Sequence, residues 1–305
     1  MDQFLQQVVN GLTLGSLYAL IAVGYTVVYG IIQLINFAHG EIFMIGAFGA
    51  LATWTWLLGG DSTALWVLPI MLAGAIAASV TVAVLTERLA YRPLRNAPRL
   101  APLITAIGVS VLLQEAIRLF YPEARSQRPF PQIDVVTGPP IDVGGVLIPR
   151  PAIFTILALV VCGAFLNVFI FRTLSGRAMQ ATAQDADTAR LMGINVNRAI
   201  VMAFVVGAAL AAVAGVAQGL QNGNIGFRIG FLAGLKAFTA AVLGGIGNVN
   251  GAIVGGLVLG LIEALATEYL FGGGAWKDIW AFVILILVLV FRPQGLLGAR
   301  VVDRA

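Results

Sequence analysis

Residues 153–171 read IFTILALVVCGAFLNVFIF, without a charged side chain. A run of this length is sufficient to cross the hydrocarbon core of a bilayer, roughly 30 Å thick, as one helix. The whole chain has a similar composition, because 59% of its 305 residues are hydrophobic and 10% are charged. A soluble domain carries charge on about a quarter of its residues. The sequence therefore predicts an all-α, polytopic integral membrane helix bundle, with residues 1–305 forming a single transmembrane domain.

Apolar runs between charged or Pro/Gly-rich breaks predict about nine spans, within a range of eight to ten. The seventh run is short and continues almost directly into the eighth through residues 244–251, GGIGNVNG, which favours a late glycine-rich broken or re-entrant helix. Glycines four residues apart, such as Gly256 and Gly260, predict close packing of helix backbones. The spans lie near residues 11–32, 42–58, 66–86, 101–120, 152–171, 199–220, 234–247, 249–270 and 278–291.

Basic residues collect in three segments, which the positive-inside rule places in the cytoplasm. With an odd number of spans, the N-terminus is then periplasmic and the C-terminus cytoplasmic. The start of the chain, Met1 to Gln3, lacks the basic n-region of a cleavable signal peptide, so we expect the first helix to be retained. The basic residues are Arg88, Arg92, Arg95, Arg99, Arg172, Arg177, Arg190, Arg198, Arg292, Arg300 and Arg304.

Two segments outside the spans are long enough to meet a partner. Residues 121–151 form a Pro/Gly-rich periplasmic loop, in which the alternation at Ile133, Val135, Ile141 and Val143 allows a short hairpin. Residues 172–198 form a cytoplasmic loop. Between Gly176 and Gly193 this loop is rich in good helix formers, with Met179, Ala183, Ala186 and Arg190 at helical spacing, and it predicts a short surface helix. That helix is either a solvated connector or a docking element for a cytoplasmic partner.

The most polar segment between two apolar runs is residues 35–41, INFAHGE. It brings Asn36, the single histidine His39 and the carboxylate of Glu41 within six residues. Physical reasoning leaves two alternatives for it: a short cytoplasmic turn, or a helix break at membrane depth whose side chains face a protein-lined cavity.

The sequence offers no enzyme chemistry. His39 and Glu41, one histidine and one glutamate two residues apart, cannot fill a tetrahedral metal shell, and there is no second His/Cys cluster. Cys162 lies within an apolar span, and no serine lies in a Gly-x-Ser-x-Gly elbow. Neither Lys236 nor Lys277 lies in a phosphate-binding loop, so any ATP must be hydrolysed by another chain. The arginines form short clusters without a basic face, which argues against nucleic acid, and embedded carboxylates are sparse, which argues against a proton-coupled carrier.

Several stretches together resemble the branched-chain amino acid ABC transporter permeases of the LivH type. The resemblance covers nearly the whole chain, although the segment 172–198 lacks the Glu-Ala-Ala signature of the better known importers and has Met179-Gln180 where relatives often carry basic residues. It rests on residues 15–26 (GSLYALIAVGYT), 35–41 (INFAHGE), 176–194 (GRAMQATAQDADTARLMGI), 244–248 (GGIGN) and 291–298 (FRPQGLLG).

The resemblance implies a multi-pass permease subunit of an importer in the bacterial inner membrane, surrounded by lipid. Its partners would be a homologous second permease, two ATP-binding subunits that hold ATP and Mg²⁺, and a periplasmic binding protein; this chain itself would carry no cofactor. The substrate would be a branched-chain or similar apolar amino acid. Urea or short-chain amide import by the same architecture, a stand-alone secondary carrier, and a receptor or scaffold are the alternatives.

The resemblance also implies two sets of site residues. The translocation path would include Asn36, His39, Glu41, Gly244, Gly247 and Asn248. The helix that couples the permease to an ATPase would include Arg177, Ala183, Asp185, Arg190 and Gly193.

Overall fold

The computed structural model describes residues 2–34, 36–95, 97–98 and 100–298. Twelve α-helices and four short strands account for most of this part of the chain. The helices are α1 (Asp2–Ile32), α2 (His39–Ala52), α3 (Val67–Thr86), α4 (Leu100–Phe120), α5 (Asp134–Thr137), α6 (Arg150–Arg172), α7 (Leu174–Gln184), α8 (Ala186–Leu191), α9 (Val196–Asn222), α10 (Ile229–Gly244), α11 (Val249–Tyr269) and α12 (Lys277–Phe291). The strands are β1 (Arg128–Pro129), β2 (Ile141–Val143), β3 (Val146–Ile148) and β4 (Asn224–Ile225).

Eight helical segments in the described part of the chain are long and apolar enough to cross a membrane. Two of them extend an α-helix by a π-helical turn, at Thr53–Leu57 after α2 and at Glu87–Tyr91 after α3. The predicted seventh span corresponds to α10, whose 16 residues give a length of about 24 Å. This is less than the roughly 30 Å of a hydrocarbon core. The prediction of a polytopic helix bundle is confirmed, with α10 as a shorter apolar helix beside eight candidate spans.

Helix α1 lies at the centre of the bundle and is buried almost continuously from Gly15 to Val28. Helices α9, α10 and α11 pack around it, and α2 packs in turn on α9 and α10; these helices supply most of the remaining buried side chains. In contrast, α4, α6 and α12 expose most of their apolar side chains. Apolar side chains on the outside of a bundle are the surface that a bilayer or another membrane subunit covers.

Glycine allows α1 and α11 to approach at backbone distance. A Cβ atom on Gly256 would lie 2.5 Å from the Cα of Ala19, and one on Gly260 would overlap the backbone of Gly15. Small residues four apart on one helix face produce this geometry, because no side chain separates the two backbones. The packing predicted for the Gly256 and Gly260 pair is therefore present.

The connections between helices meet at two opposite ends of the bundle. At the first, which we call the hairpin end, Leu147 and Gln6 exchange hydrogen bonds of 2.8 and 2.9 Å, and β1 pairs with β4. At the second, which we call the basic end, Arg95 donates to Asn197 at 2.5 Å. Two of the segments predicted to be cytoplasmic, residues 88–99 and 172–198, thus meet at one end, opposite to the N-terminus.

The glycine-rich turn between α10 and α11 is held by the residues that follow α12. The amides of Leu296 and Leu297 donate to the carbonyls of Leu243 and Gly244 at 2.8 and 2.9 Å. These carbonyls would otherwise be free at the end of α10. Gly245 has a φ of 104°, which favours glycine, so the sequence permits the sharp reversal that separates α10 from α11.

Two predictions for the connecting segments need correction. The predicted hairpin consists of β2 and β3 only, since Ile133 precedes the short helix α5 and Val135 lies within it. The single surface helix predicted between Gly176 and Gly193 is in fact two helices, α7 and α8. They separate at Asp185, whose extended backbone and carboxylate cap the second helix instead of continuing the first.

The contact between α1 and α11 predicts a large difference between two glycine substitutions. Gly256→Leu forces a side chain into the backbone of α1 and should lower the stability of the bundle by about 3 kcal/mol or more. Gly108→Leu is the matched control, because a Cβ atom on Gly108 meets no atom of the described residues within 4 Å. Size-exclusion chromatography and thermal unfolding in detergent would compare the two; equal behaviour would contradict the packing.

Candidate functional site

The polar segment between α1 and α2 folds back into the protein. Helix α1 ends at Ile32 and α2 begins at His39, and both Asn36 and His39 are buried. The side-chain oxygen of Asn36 accepts hydrogen bonds from the amide of Ala38 at 3.0 Å and from the hydroxyl of Tyr91 at 2.8 Å. Asn36 therefore shapes the turn and connects it to the last turns of the third membrane helix.

His39 occupies a narrow gap between α1 and α9. Its ring lies 4.7 Å from the ring of Tyr25 in an edge-on arrangement. A Cβ atom on Gly207 would lie 3.4 Å from His39 Cε1, and one on Gly24 would overlap the ring. The two glycines thus make the space for the imidazole, and the surroundings of His39 are those of a core side chain.

Glu41 is completely buried at the start of α2. Its Oε1 atom accepts a hydrogen bond from Gln114 Nε2 at 2.8 Å and another from Ser110 Oγ at 3.1 Å. Both donors are on α4. Close approach of α2 to α10 at this level requires glycine, since a Cβ atom on Gly40 would lie 2.8 Å from the Cα of Gly234.

The two residues that contact Glu41 also line a cavity of about 620 Å³ between α4 and α10, which we call the lateral cavity. Each helix contributes residues at positions i, i+3, i+4 and i+7, so one face of α4 and one face of α10 point to the same space. Tyr25 and Phe37 complete its wall. The facing residues are Ile107, Ser110, Val111 and Gln114 on α4, and Arg228, Phe231, Leu232 and Leu235 on or just before α10.

A second cavity of about 380 Å³ opens at the basic end and is called the inner cavity. It brings Gly247 and Asn248 of the glycine-rich turn next to Met179 and Ala183 of α7. The side chain of Asn248 accepts from the amide of Gly251 at 3.1 Å and donates to the carbonyl of Leu297 at 2.8 Å. Two predicted path residues and one predicted coupling residue thus line one space.

Gly244 has a different position from the other predicted path residues. A Cβ atom on it would overlap the carbonyl of Gly251, and one on Gly255 would lie 2.6 Å from its amide nitrogen. Gly244 is therefore part of the backbone contact between α10 and α11.

The segment from α7 to α9 is held by side-chain caps. Thr173 accepts from the amide of Gly176 at 3.0 Å, and Asn195 accepts from the amide of Arg198 at 3.0 Å. Asp185 Oδ2 binds the hydroxyl of Thr188 at 2.5 Å, while its Oδ1 accepts from the amides of Asp187 and Thr188. These hydrogen bonds, that of the Thr188 hydroxyl first, lower the pKa of the Asp185 carboxyl below its ordinary value.

The predicted coupling residues lie along this capped segment. Arg177 and Arg190 are exposed, and Arg190 pairs with Asp187 at 2.7 Å. Gly193 has a φ of 82° and ends α8 in a turn, as glycine permits. Beside it, Leu191 and Met192 are 87% and 78% exposed. These two exposed apolar side chains were not among the residues that the sequence predicted.

A buried ionic cluster was also missed by the sequence analysis. Lys236 Nζ lies 2.8 Å from Glu263 and 2.6 Å from Asp278, and the Tyr18 hydroxyl donates to Glu263 at 2.9 Å. The cluster joins α1, α10, α11 and α12. These residues are far apart in the sequence. The only signal for the cluster was that ionisable residues are rare in apolar runs and need a partner there.

Comparison with solved structures identifies the general class of this fold. The chain is similar to an ABC transporter of the metal-chelate type in an inward-facing conformation, with a TM-score of 0.51 and 15% identity, over 94% of this chain and 87% of that one. At this identity the likeness concerns the fold alone.

Sequence comparison identifies the family. The model of the branched-chain amino acid transport system permease component matches residues 7–289, and the chain belongs to this family. It is 49% identical to the high-affinity branched-chain amino acid transport system permease protein BraD of Pseudomonas aeruginosa, over 99% of this chain and 98% of that protein. It is 45% identical to the permease protein LivH of Escherichia coli K12, over 99% of this chain and 97% of that protein.

The predicted family is thereby confirmed. The chain is a multi-pass permease subunit of the inner membrane, and its family is one of transport components, which agrees with the absence of an enzyme motif in the sequence.

The cap at Asp185 predicts a local effect on α8. Asp185→Ala removes three hydrogen bonds and should increase amide exchange at Asp187 and Thr188. Asp187→Ala is the control: it changes a surface ion pair only and should not increase exchange at Thr188.

The same cap predicts a pH dependence. Because the pKa of Asp185 is lowered, the wild-type protection is present above the ordinary aspartate pKa and is lost as the pH falls through the lowered value. Hydrogen exchange, expressed as protection factors, measures both effects.

Proposed function

We propose that this chain is one of two permease subunits in an ATP-driven importer of leucine, isoleucine, valine or a similar apolar amino acid. The observation that carries the proposal is the 49% identity to BraD over nearly the full length of both proteins. Identity at this level over all spans favours a shared substrate class over urea or a short-chain amide, the alternatives from the sequence.

The proposed assembly adds a homologous second permease, two ATP-binding subunits with ATP and Mg²⁺, and a periplasmic binding protein. Two features support this composition. The sequence has no phosphate-binding loop, so ATP hydrolysis requires another chain. The lateral cavity opens on the side of α4, which exposes Ile107, Val111 and Leu112 and packs only weakly on the rest of the bundle. A second membrane subunit on this side would close the cavity into a path.

We propose that the basic end faces the cytoplasm and the hairpin end faces the periplasm. The arginines at 88, 92 and 95 and those of the segment 172–198 lie at the basic end, as the positive-inside rule requires. In this orientation the exposed end of α8, with Leu191 and Met192, meets the ATPases, α7 connects it to the membrane helices, and the strand pair β2 and β3 faces the binding protein.

The coupling role of α7 and α8 follows from their construction. The caps at Thr173, Asp185 and Asn195 fix the segment as a rigid element. Leu191 and Met192 project from it as an apolar knob that fits a groove on an ATP-binding subunit. Movement of this knob would reach the membrane helices through the inner cavity, where Met179 and Ala183 of α7 face Gly247 and Asn248. Gly247 and Asn248 are therefore proposed as the cytoplasmic end of the path.

We propose that Asn36, His39 and Glu41 support the wall of the path, and that Tyr25, Ser110 and Gln114 line it. The roles of the three supporting residues differ in kind. Asn36 and His39 fix the turn between α1 and α2 through their contacts with Tyr91 and Tyr25, whereas Glu41 reaches the residues that line the lateral cavity.

Reconstitution of the purified complex tests the function directly. Proteoliposomes that contain the permeases, the ATPases and the binding protein should take up labelled leucine when ATP is supplied, and unlabelled isoleucine or valine should compete, whereas urea should not. Competition by urea without competition by the amino acids would reject the proposed substrate. Uptake driven by an ion gradient in the absence of the ATPases would reject the transport class.

The apolar knob gives a second prediction for the same system. Leu191→Glu places a charge on the proposed docking surface and should reduce leucine uptake by about tenfold or more while the permease still inserts in the membrane. Ser175→Glu adds the same charge at the start of α7, where a negative charge is favourable, and should retain uptake. Equal uptake by the two variants would contradict docking at Leu191.

A further inference from the structure

We propose that Glu41, Ser110 and Gln114 form a recognition site for the α-ammonium group of the transported amino acid, at the floor of the lateral cavity. The inference rests on the proposed function and deepens it, because it assigns the chemical groups that recognise the substrate. It is carried by the hydrogen bonds around Glu41 and by the distribution of polar and apolar residues along the cavity.

The hydrogen bonds leave only acceptors on the floor of the cavity. Ser110 uses its hydroxyl hydrogen to bind Glu41 Oε1, and Gln114 turns its NH₂ group to the same oxygen and, at 3.5 Å, to Ser110 Oγ. A hydroxyl that has donated its hydrogen retains a lone pair, and an amide whose nitrogen faces a carboxylate presents its carbonyl oxygen elsewhere. Both residues line the cavity. A group that donates several hydrogen bonds, such as a primary ammonium, matches this floor.

Glu41 supplies the charge behind the acceptors. Its side chain is 0% exposed, and within the described residues neither a basic side chain forms an ion pair with it nor a donor reaches its Oε2 atom. A buried carboxylate that is held by two neutral donors is costly unless a cation neutralises it. By contrast, the buried Glu263 has Lys236 at 2.8 Å. The difference indicates that the cation for Glu41 comes from outside the chain.

The polar groups of the cavity lie toward the hairpin end. Helices α4 and α10 run in opposite directions, so Gln114, late in α4, and Arg228, just before α10, are both near this end. The level of Glu41 agrees, since a Cβ atom on Gly230 would lie 3.0 Å from its Cδ. Arg228 is exposed and lies 5.2 Å over the ring of Phe227. Glu41 and Arg228 thus place a negative and a positive charge toward the same end of the cavity, which complements the two charged groups of a zwitterion.

The opposite half of the cavity is apolar. Ile107, Phe37 and Leu235 line it toward the basic end, with Val111 and Leu232 between the two halves. An amino acid would therefore place its ammonium on Ser110 and Gln114, its carboxylate toward Arg228, and its side chain along the apolar wall. The size and the polarity of the lateral cavity suit one small ligand with an apolar side chain and few polar groups. Urea lacks both the cationic group and the apolar body.

A photoreactive leucine that carries a diazirine in its side chain tests the site in the intact complex. With wild-type protein in nanodiscs, labelling should map to the apolar wall, at Ile107, Val111 or Leu232. Glu41→Gln should reduce this labelling and leucine uptake by about tenfold or more, because a charge-assisted interaction is lost. Glu115→Gln is the matched control on α4, since Glu115 is 43% exposed and pairs with Arg118 instead.

Two further measurements keep the result decisive. Gln114→Leu, at a half-buried position on the cavity wall, should cause the same loss if Glu41→Gln fails to assemble. In wild-type protein, 3-methylbutylamine, which retains the ammonium, should compete with the labelling, and 4-methylpentanoate, which lacks it, should not. Wild-type uptake and labelling in both Glu41→Gln and Gln114→Leu, labelling away from the cavity, or stronger competition by 4-methylpentanoate would overturn the proposal.

Failure of the site and failure of the proposed function give different results. Normal leucine uptake that is insensitive to Glu41→Gln rejects the site and retains the importer. Absence of leucine uptake by the wild-type complex rejects the importer, and absence of labelling in the cavity of that same complex rejects the site as well.

Discussion

The backbone contact between α1 and α11 determines where the other helices can lie. Hydrophobic side chains gain little by association inside a bilayer, because lipid tails are as apolar as leucine. Close packing must supply the attraction instead, and Gly15, Gly256 and Gly260 let the two backbones touch without an intervening side chain. Helix α1 is thereby fixed at the centre, and α9, α10 and α6 pack on its remaining faces. The same device recurs where Gly40 meets Gly234 and where Gly244 meets Gly251.

A tightly packed centre has consequences for the two cavities. Both lie at the margins of the bundle, where α4 or α7 contacts the centre over a small area. A well-packed group of helices has discrete arrangements and resists gradual deformation, so the less tightly held elements are those that can move between states. Alternating access would then consist of shifts of α4 and α7 against a fixed α1 and α11. The caps of α7 and α8 keep that moving part rigid.

Two buried carboxylates of the bundle, Glu263 and Glu41, differ in their partners, which indicates a structural role for the first and the proposed recognition role for the second. Two lysines, Lys236 and Lys277, balance the carboxylates of Glu263 and Asp278, and Tyr18 donates a hydrogen bond to Glu263, so the charges of the cluster are balanced without a ligand. Removal of one member of such a cluster leaves an uncompensated buried charge, which is strongly destabilising. The cluster therefore stabilises the contact between the four helices that contribute to it. Among the residues that the structure describes, Glu41 has neutral hydrogen-bond partners only, and it lies behind a cavity. An ionisable residue at membrane depth costs free energy unless it is paired. A carboxylate without a cationic partner therefore indicates a position where a ligand supplies the cation, as proposed for Glu41.

The sequence by itself determined the helix class, the approximate number of spans, the short α10, the glycine packing and the family. The helix class, the spans and the glycine packing depend on local hydrophobicity and on residue spacing along one helix, which can be read from the sequence directly, whereas the family was identified from the resemblance of several motifs. It failed at Asp185, where a cap competes with helix propensity, and at Val135, where four residues form a helix in place of a strand. Only the tertiary structure decided that His39 lies in a glycine-lined gap in the core and that Glu41 meets Ser110 and Gln114. Residues 41 and 114 are far apart in the chain, and their contact results from the way α4 leans on α2, which no pattern within either helix specifies.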